Sequence, residues 1–267
     1  MKSVLITGAY GGMGTPTVKL FRDAGYRVFA LDLKVGEAEE NVIPVEADIT
    51  SEDSVRAAYL KVAEFTDELF AILHFAGIYM LDSLVEMSDD AFRRIFDVNL
   101  RGAVLVNKTF LPLMKDGGRI LITTSELATL DPLPFTGIYA VTKAALDKYA
   151  YSLRMELQLL GINVSVLRAG AVDTGMLGVS IAALDRFCEK TELYSCNAKR
   201  FKNIVESVEA KSVPATKIAT KSYKIISKKK PKFAYAINRN PLLRLLNILP
   251  KRMQLFIIRK ILEQKGK

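Results

Sequence analysis

The chain has 267 residues, of which 50% are hydrophobic and 25% charged, a globular composition that excludes disordered and fibrous architectures. No apolar run approaches the ~18 residues of a membrane-spanning helix, and the first residues predict a strand rather than a cleavable signal peptide. Cys188 and Cys196 offer no disulfide framework or paired-thiol motif, so a reducing, cytoplasmic setting is expected. A single histidine, His74, excludes a histidine-rich metal centre, and no metal is expected.

The formal charge of +9 is unevenly distributed along the chain. Residues 1–198 carry 19 basic and 26 acidic side chains, whereas residues 199–267 carry 19 basic and only 3 acidic ones. A mildly acidic body with a strongly basic C-terminal quarter indicates an anionic partner surface, either a membrane or a nucleic acid.

Strand-like and helix-like segments alternate through the first two thirds of the chain. Short apolar runs predict strands over residues 2–7, 27–32, 42–46, 71–75, 119–125 and 163–169. Helical spacing of apolar residues predicts helices over 13–24, 53–65, 89–114 and 139–160. This alternation predicts right-handed strand–helix–strand units, and hence an α/β fold with a doubly wound parallel sheet and helices on both faces.

The pattern loosens after Gly170. Residues 172–212 predict a loop and then a helix, residues 215–227 a helix and residues 233–237 an edge strand, and two short helices follow over 242–249 and 253–262. We therefore expect one domain over residues 1–237, in which 172–212 lies on the substrate side. A basic amphipathic helical tail is expected over residues 238–267.

A glycine-rich turn follows the first strand and opens the first helix. Gly8, Gly12 and Gly14 let the backbone turn sharply and approach a ligand, and Tyr10 and Met13 lie in the same turn. The helix N-terminus adds unbonded N–H groups and a partial positive charge, which suit a pyrophosphate. A turn without a ligand is the alternative, but the position between first strand and first helix favours a dinucleotide site of the Rossmann type.

Asp32 ends the second strand, 18 residues after Gly14. A carboxylate there can accept hydrogen bonds from both hydroxyls of an adenosine ribose and would repel a 2′-phosphate, so NAD is predicted over NADP. Lys34 is a reservation, because its ammonium could reach such a phosphate. The alternative for Asp32 is a solvated carboxylate at a strand end.

Tyr139 and Lys143 are four residues apart on a predicted helix, so their side chains share one face. An ammonium beside a phenol favours the phenolate and is expected to lower the phenol pKa from its ordinary ~10. Most such pairs are ordinary helix surface, so the case depends on their neighbours. Ser125 closes the fifth strand, and Asn99 lies in the long helix before that strand.

These segments resemble the short-chain dehydrogenase/reductase family over roughly residues 1–180. The motifs that carry the resemblance are the glycine turn, Ala47-Asp48-Ile49, His74-Phe75-Ala76-Gly77, Val98-Asn99, Ser125, Tyr139-Ala140-Val141-Thr142-Lys143, and the loop with Val172 and Thr174. The chain departs from the family twice. His74-Phe75 stands where the family commonly has two asparagines, and Arg168-Ala169 replaces the usual proline before Gly170.

The resemblance implies a nicotinamide dinucleotide bound along these motifs. Asp48, beside Ile49, would meet the adenine amino group, and Val172 and Thr174 would contact the nicotinamide carboxamide. The implied cofactor residues are Gly8, Tyr10, Gly12, Met13, Gly14, Asp32, Asp48, Ile49, Phe75, Ala76, Gly77, Asn99, Tyr139, Lys143, Val172 and Thr174. His74 is expected to be a partly buried polar residue that anchors the sheet rather than a catalytic base.

The resemblance also implies hydride transfer between the nicotinamide and a carbinol carbon. Tyr139 would exchange a proton with the substrate oxygen, Ser125 would hydrogen-bond that oxygen, and Lys143 would lower the phenol pKa and hold ribose hydroxyls. Asn99, the fourth catalytic residue, would hold a water linking Lys143 to solvent. Members of the family commonly form homo-dimers or tetramers through two long helices, represented here by residues 89–114 and 139–160.

The substrate pocket is expected to be built by the segment after Gly170. Its apolar residues, which either line a pocket or pack between helices, are Met176, Leu177, Val179, Ile181, Leu184, Phe187 and Leu193. Residues 232–262 also resemble the tails of steroid- and retinol-type members of the family. Both features favour a hydrophobic alcohol or ketone such as a steroid, a retinoid or a lipid.

The tail helices alternate leucine, isoleucine and phenylalanine with arginine and lysine. Such basic amphipathic helices can lie on an anionic membrane, and a lid over the substrate entrance or a dimer contact is an equal alternative. Nucleic acid is not expected, because the cations lack stacking aromatic neighbours and no base-reading motif is present. Two other functions remain as alternatives: a non-catalytic NAD sensor or membrane tether, and epimerase or dehydratase chemistry on nucleotide sugars.

Overall fold

The computed structural model describes residues 1–209 and 212–263, without the side chains of residues 175–181, 196, 199 and 205–209. Its centre is a seven-stranded parallel sheet with strand order β3-β2-β1-β4-β5-β6-β9. The strands of the chain are β1 Ser3–Thr7, β2 Arg27–Asp32, β3 Val42–Glu46, β4 Leu69–His74, β5 Met114–Ser125, β6 Asn163–Ala169, β7 Val172–Asp173, β8 Val213–Pro214 and β9 Ala234–Ile237. The predicted doubly wound α/β sheet is thereby confirmed.

Helices cover both faces of this sheet. They are α1 Gly14–Asp23, α2 Glu52–Ala63, α3 Asp89–Phe96, α4 Gly102–Phe110, α5 Gly137–Leu157, α6 Gly175–Lys190, α7 Ser195–Glu209, α8 Ala215–Ile226, α9 Pro241–Ile248 and α10 Lys251–Leu262. Serine caps start α2 and α3: Ser51 accepts from the Ser54 N–H, and Ser88 accepts from the Ala91 N–H. No helix within the described residues is long and apolar enough to cross a bilayer.

A hydrophobic core lies on each face of the sheet, because successive strand residues point to opposite faces. Leu5 on β1 packs into one core with side chains of α2, α4 and α5, whereas its neighbours Val4 and Ile6 pack into the other with α1 and α8. All five residues of β1 are buried, as expected for the central strand of a parallel sheet covered on both sides.

The region predicted as one helix over 89–114 differs from the prediction in two ways. A π-helical turn, Asp97–Arg101, joins α3 to α4, and Asn99 lies in the middle of this turn. Met114 is not helical but begins β5, where it pairs with Leu69 of β4. The apolar residues of 111–114 satisfy helix and strand patterns equally, so the sequence did not place this boundary.

The C-terminal helices are attached to the body at several points. Asn240, which caps α9, donates its N–H to Glu126 Oε2 at 2.8 Å, and the Asp131 N–H donates to Asn247 Oδ1 at 2.6 Å. At the end of α10, Asn197 Nδ2 donates to the Leu262 carbonyl at 2.6 Å. These bonds place the start of α9 beside the end of β5.

Candidate active site

A cleft of about 420 Å³ opens at the carboxyl ends of β1, β4, β5 and β6. In a parallel sheet this edge is where ligands bind, because the strand order reverses there between β1 and β4. Predicted site residues that line the cleft are Met13, Phe75, Gly77, Ser125, Tyr139, Lys143, Val172 and Thr174. The tertiary structure therefore brings together residues from both halves of the sequence.

The glycine-rich turn is packed so closely that it excludes side chains. Gly8 has φ +66°, and a Cβ there would lie 2.5 Å from the Ala76 nitrogen. A Cβ at Gly14 would lie 2.0 Å from the Gly8 carbonyl oxygen, and one at Gly12 would lie 2.5 Å from the Thr174 Cβ. The turn therefore needs glycine, and the Gly12 contact brings the loop with Val172 and Thr174 against it.

The N-terminus of α1 is suited to an anion. Its first turn contains no acidic residue, and Met13 gives no side-chain cap, so the first N–H groups have no side-chain acceptor there. Asp32 lies beside the turn: its Oδ2 accepts from the Tyr10 N–H at 3.0 Å and its Oδ1 from the Leu33 N–H at 2.8 Å. A carboxylate has lone pairs left for ribose hydroxyls after two such bonds. These residues fit a dinucleotide.

Asp48 and Ile49 lie at the next strand end. Asp48 Oδ1 accepts from the backbone N–H of Thr50 at 2.8 Å and from its hydroxyl at 2.7 Å, so the carboxylate orientation is fixed. Ile49 is buried against Gly102: a Cβ added to Gly102 would lie 2.6 Å from the Cδ1 atom of Ile49. Directly after β4, Phe75 is buried and donates its N–H to the Thr7 carbonyl at the end of β1, at 3.0 Å.

Asn99 connects three segments of the cleft floor. Its Oδ1 accepts from the Ile78 N–H at 2.8 Å, and its Nδ2 donates to the Ile78 carbonyl at 2.9 Å and to Thr142 Oγ1 at 3.1 Å. A Cβ at Gly77 would lie 3.2 Å from Asn99 Oδ1 and 3.4 Å from Lys143 Nζ. The side chain of Asn99 is thus committed to structure, and it lies close to the lysine.

Ser125, Tyr139 and Lys143 meet in the cleft. The Tyr139 hydroxyl hydrogen-bonds the Ser125 side chain, and the Lys143 ammonium lies 5.7 Å from the Tyr139 ring centroid. Ser125 Oγ accepts from the Leu127 N–H at 3.2 Å, and Lys143 Nζ donates to the Thr123 carbonyl at 3.4 Å. Three of the four predicted catalytic side chains therefore line one cleft, and Asn99 is not among its lining residues.

The predicted lowering of the phenol pKa is wrong for this structure. Burial raises the pKa of Tyr139 above its ordinary value, and neighbouring Tyr79 adds to the increase, while the Ser125 hydrogen bond opposes it. Burial also lowers the pKa of Lys143 to about 8, because the ammonium loses its water. Desolvation of both groups outweighs the attraction expected between them, and Tyr139 is a neutral phenol.

His74 is a buried structural residue, as expected. Its Nε2 lies 2.9 Å from Asn107 Oδ1, and Asn107 Nδ2 donates to the Tyr149 hydroxyl at 3.2 Å. Burial lowers the pKa of His74 to about 4, so the ring is neutral. It links β4 to α4 and α5 and does not line the cleft.

Arg168, one of the departures from the family pattern, forms a two-pronged ion pair with Asp147 of α5. Nε donates to Oδ1 at 2.9 Å and Nη2 to Oδ2 at 2.7 Å, and the Thr124 hydroxyl also donates to Oδ1 at 3.2 Å. This pair ties β6 and β5 to the helix that carries Tyr139 and Lys143.

On the substrate side, Leu184 and Phe187 follow the alternative in which they pack between helices rather than line a pocket. Leu184 and Phe187 pack in a separate core with Phe201, and Leu193 is 67% exposed, so none of them lines the cleft. Met176, Leu177, Val179 and Ile181 lie outside the residues whose side chains the structure describes. The apolar side chains that line this part of the cleft are Ile78, Tyr79, Leu127, Leu133, Ile204 and Leu242. Three of them, Ile78, Tyr79 and Leu133, come from loops, which carry no periodic signal.

Two charged residues in the cleft were missed by sequence reasoning. Glu126 follows Ser125 directly, and Arg239 precedes the cap of α9. Burial raises the pKa of Glu126, and the Asn240 N–H and the charge of Arg239 oppose that increase. In the sequence, only the position of Glu126 next to Ser125 indicated that it could line the cleft. Nothing in the sequence indicated this for Arg239.

Comparison with known proteins agrees with this geometry. A family model described as short chain dehydrogenase matches residues 2–184. The chain therefore belongs to the short-chain dehydrogenase family, a family of oxidoreductases with a Rossmann-type nucleotide-binding fold.

Two curated relatives and one solved structure illustrate the range of similarity. Estradiol 17-beta-dehydrogenase 2 of Mus musculus is 33% identical over 191 residues, covering 66% of this chain and 50% of the relative. The chain thus matches only half the length of that relative. A 3-ketodihydrosphingosine reductase of Bacteroides thetaiotaomicron is 25% identical over 231 residues, covering 86% of this chain and 85% of the relative.

The solved structure is a 3-ketoacyl-(acyl-carrier-protein) reductase from Brucella melitensis complexed with NADH. It superposes with a TM-score of 0.72 at 22% identity, covering 88% of this chain and 96% of the other. At this identity the comparison shows a shared fold.

Proposed function

We propose that this protein is an oxidoreductase that interconverts a hydrophobic ketone and the corresponding alcohol with NAD(H). The observation that carries this proposal is the meeting of Ser125, Tyr139 and Lys143 in one cleft beside the glycine-rich turn. The nicotinamide, when bound, supplies or accepts the hydride.

Each catalytic side chain has a defined task in this proposal. The Ser125 hydroxyl and the Tyr139 phenol bind the substrate oxygen, and the phenol donates its proton to that oxygen as negative charge develops. A neutral Tyr139 is the form that donates a proton, as the reduction of a ketone requires. Lys143 holds ribose hydroxyls of the cofactor and, when charged, stabilises the phenolate that remains. Asn99 keeps the floor beneath Lys143 in place through its bonds to Ile78 and Thr142, and a water there would link Lys143 to solvent.

Replacement of Tyr139 by Phe tests the reaction. The variant keeps the ring but lacks the proton, so turnover should fall by about a hundredfold or more while NADH affinity stays near the wild-type value. Activity is followed by NADH absorbance on a panel of steroid, retinoid and long-chain ketones, and affinity by calorimetry.

Tyr151→Phe, on the exposed face of the same helix, is the control and should be unaffected. Near-normal turnover in Tyr139→Phe would defeat the proposal. NADH binding with no wild-type turnover would favour the non-catalytic alternative.

We infer a preference for NADH over NADPH from Asp32. Its carboxylate is held beside the turn by the Tyr10 and Leu33 N–H groups, where it would accept from ribose hydroxyls and repel a 2′-phosphate. The wild type should show a higher kcat/KM with NADH than with NADPH. In Asp32→Asn the ratio of these two kcat/KM values should fall by about tenfold. A wild-type preference for NADPH would contradict this assignment.

The hydrophobic character proposed for the substrate has two supports. The cleft is lined on its outer side by apolar residues such as Tyr79, Leu133 and Leu242. Relatives of the chain are named for an estradiol and for a ketodihydrosphingosine. The substrate panel decides between these classes.

We further propose a cytoplasmic homo-oligomer. The outer face of α5 exposes Val141, Tyr151 and Met155, and Phe92 is exposed on α3. Apolar side chains on both predicted interface helices support a dimer or tetramer formed through them. Light scattering after gel filtration measures the mass, and a monomer at micromolar concentration would contradict this proposal.

Contact with an anionic membrane through α9 and α10 is also proposed. Leu242, Leu245 and Ile248 lie on the outward face of α9 and are exposed, while Leu243 and Asn247 face the body. Met253, Leu255 and Phe256 are exposed on α10. Cations lie between these apolar side chains, namely Arg244, Arg252, Arg259 and Lys260. Exposed apolar groups mixed with cations suit the interface of an anionic bilayer.

A further inference from the structure

Glu126 is a half-buried carboxylic acid on the wall of the cleft that the proton transfer proposed above does not use. Its Oε2 accepts the Asn240 N–H at 2.8 Å. Its Oε1 accepts no hydrogen bond from the residues that the structure describes. This oxygen lies beside Gly170, since a Cβ added to Gly170 would be 3.2 Å from it. One carboxylate oxygen is thus available on a wall that Gly170 also lines.

The surroundings make this oxygen a site for a polar group. Lys143, Glu126 and Arg239 are the charged side chains among the residues that line the cleft, and Lys143 lies with Tyr139. Burial already raises the pKa of Glu126, because the apolar cleft replaces water that would solvate the charge. A ligand that donates a hydrogen bond to the carboxylate would replace the water that burial removes.

We propose that Glu126 is a specificity subsite for a hydrogen-bond donor, an ammonium or a hydroxyl, on the substrate carbon next to the reacting carbon. Ser125 and Glu126 are consecutive, and both line the cleft. A substrate oxygen held by Ser125 and Tyr139 places a substituent on the adjacent carbon within reach of Glu126. The substrate class is therefore an α-amino or α-hydroxy ketone with an apolar tail, and this inference rests on the proposed function.

A second role for Glu126 must be separated from this one. The Asn240 bond fastens the cap of α9 to the end of β5, so removal of the side chain also loosens that attachment. Glu126→Gln keeps an oxygen that can accept the Asn240 N–H but removes the charge. Glu126→Ala removes both functions.

The experiment compares 3-octanone with its 2-amino and 2-hydroxy derivatives, using NADH and measuring kcat/KM for each. The wild type should prefer at least one substituted ketone by roughly ten- to a hundredfold. Glu126→Ala should abolish this preference. Glu126→Gln should abolish a preference for the amino compound and retain most of a preference for the hydroxy compound. Because each preference is a ratio within one variant, general damage to the protein cancels.

Asp131→Asn is the matched control, since it removes a carboxylate that pairs with Lys251 and does not line the cleft. Its preference should equal that of the wild type. Equal use of the three ketones by the wild type, or a preference unchanged in Glu126→Ala, would overturn the subsite while leaving the proposed reaction intact. If no ketone is reduced, calorimetry with 2-amino-1-octanol, 1,2-octanediol and 1-octanol tests the subsite independently of the reaction. Tighter binding of the amino alcohol or the diol than of 1-octanol, abolished in Glu126→Ala, supports it, and equal binding of all three overturns it.

Discussion

At the scale of single residues, burial decides protonation. His74 and Tyr139 both carry groups that titrate in water. His74 is enclosed by the sheet and its helices and Tyr139 lies in the wall of the cleft, and burial favours the neutral form of both. For His74 this has a consequence for stability, because the unfolded chain exposes the ring to water.

The free energy of unfolding should therefore decrease as the pH is lowered, because His74 is buried in its neutral form. The unfolded histidine takes up its proton near pH 6.5, whereas the folded one does so only near pH 4, so the unfolded state binds more protons in between. The free energy of unfolding should lose about 3 kcal/mol from this group as the pH drops from 7 to 4. Urea titrations at several pH values measure the loss.

The contribution of His74 is isolated by His74→Gln, which keeps a donor for Asn107 and does not titrate. The variant should lose less stability than the wild type over the same pH range, although it starts lower. Parallel pH profiles for the two proteins would show that the ring is not buried in its neutral form.

At the scale of elements, α5 holds the site together. It carries Tyr139 and Lys143 toward the cleft, and one turn after Lys143 it carries Asp147, which pairs with Arg168 of β6. Both charged side chains are mostly buried. Such a pair contributes geometry more than net stability, because desolvation offsets most of the Coulomb attraction.

The two partners should therefore respond unequally to mutation. Arg168→Met leaves Asp147 buried without its cation, and the free energy of unfolding should fall by about 3 kcal/mol. The double variant Asp147→Leu with Arg168→Met removes both charges and should be more stable than the single variant. Chemical denaturation of the three proteins checks the order. A double variant less stable than Arg168→Met would show that the pair itself supplies the stability.

At the scale of the whole molecule, charge and apolar surface are concentrated in the C-terminal part. Leu242 both lines the cleft and is 66% exposed, so the apolar outer faces of α9 and α10 begin at the rim of the cleft. Glu263 is the first acidic residue after the start of α9. A membrane bound at this surface would place the cleft next to lipid.

Vesicle binding tests the proposed membrane contact. The protein should co-sediment with vesicles containing phosphatidylserine more than with neutral phosphatidylcholine vesicles, and less as salt rises from about 0.1 M to about 0.5 M. Replacing Leu245, Ile248 and Phe256 by Ser should weaken binding at least tenfold, since each contributes apolar burial. Leu60→Ser, an exposed leucine of α2, is the control.

Absence of wild-type sedimentation, or full binding by the triple variant, would contradict the membrane contact. A mass that falls in the triple variant without vesicles would instead identify this surface as a contact between copies.

Much of the fold could be predicted because its signals are local. The bounds of β2, β3 and β6 agree with the predicted strands, since short apolar runs between turns are a pattern of neighbouring residues. The π turn at Asn99 and the early start of β5 at Met114 could not be predicted, because pairing with distant segments decides them.

The sequence by itself determined the alternating strands and helices, the glycine turn, and the helix that presents Tyr139 and Lys143 on one face. These depend on residues close together in the chain. Only the tertiary structure decided that Glu126, Arg239 and Leu242 line the cleft, that Leu184 and Phe187 do not, and that burial raises the pKa of Tyr139. Burial and proximity arise from the packing of separate segments, which are 113 residues apart for Glu126 and Arg239, and no local pattern records how such segments pack.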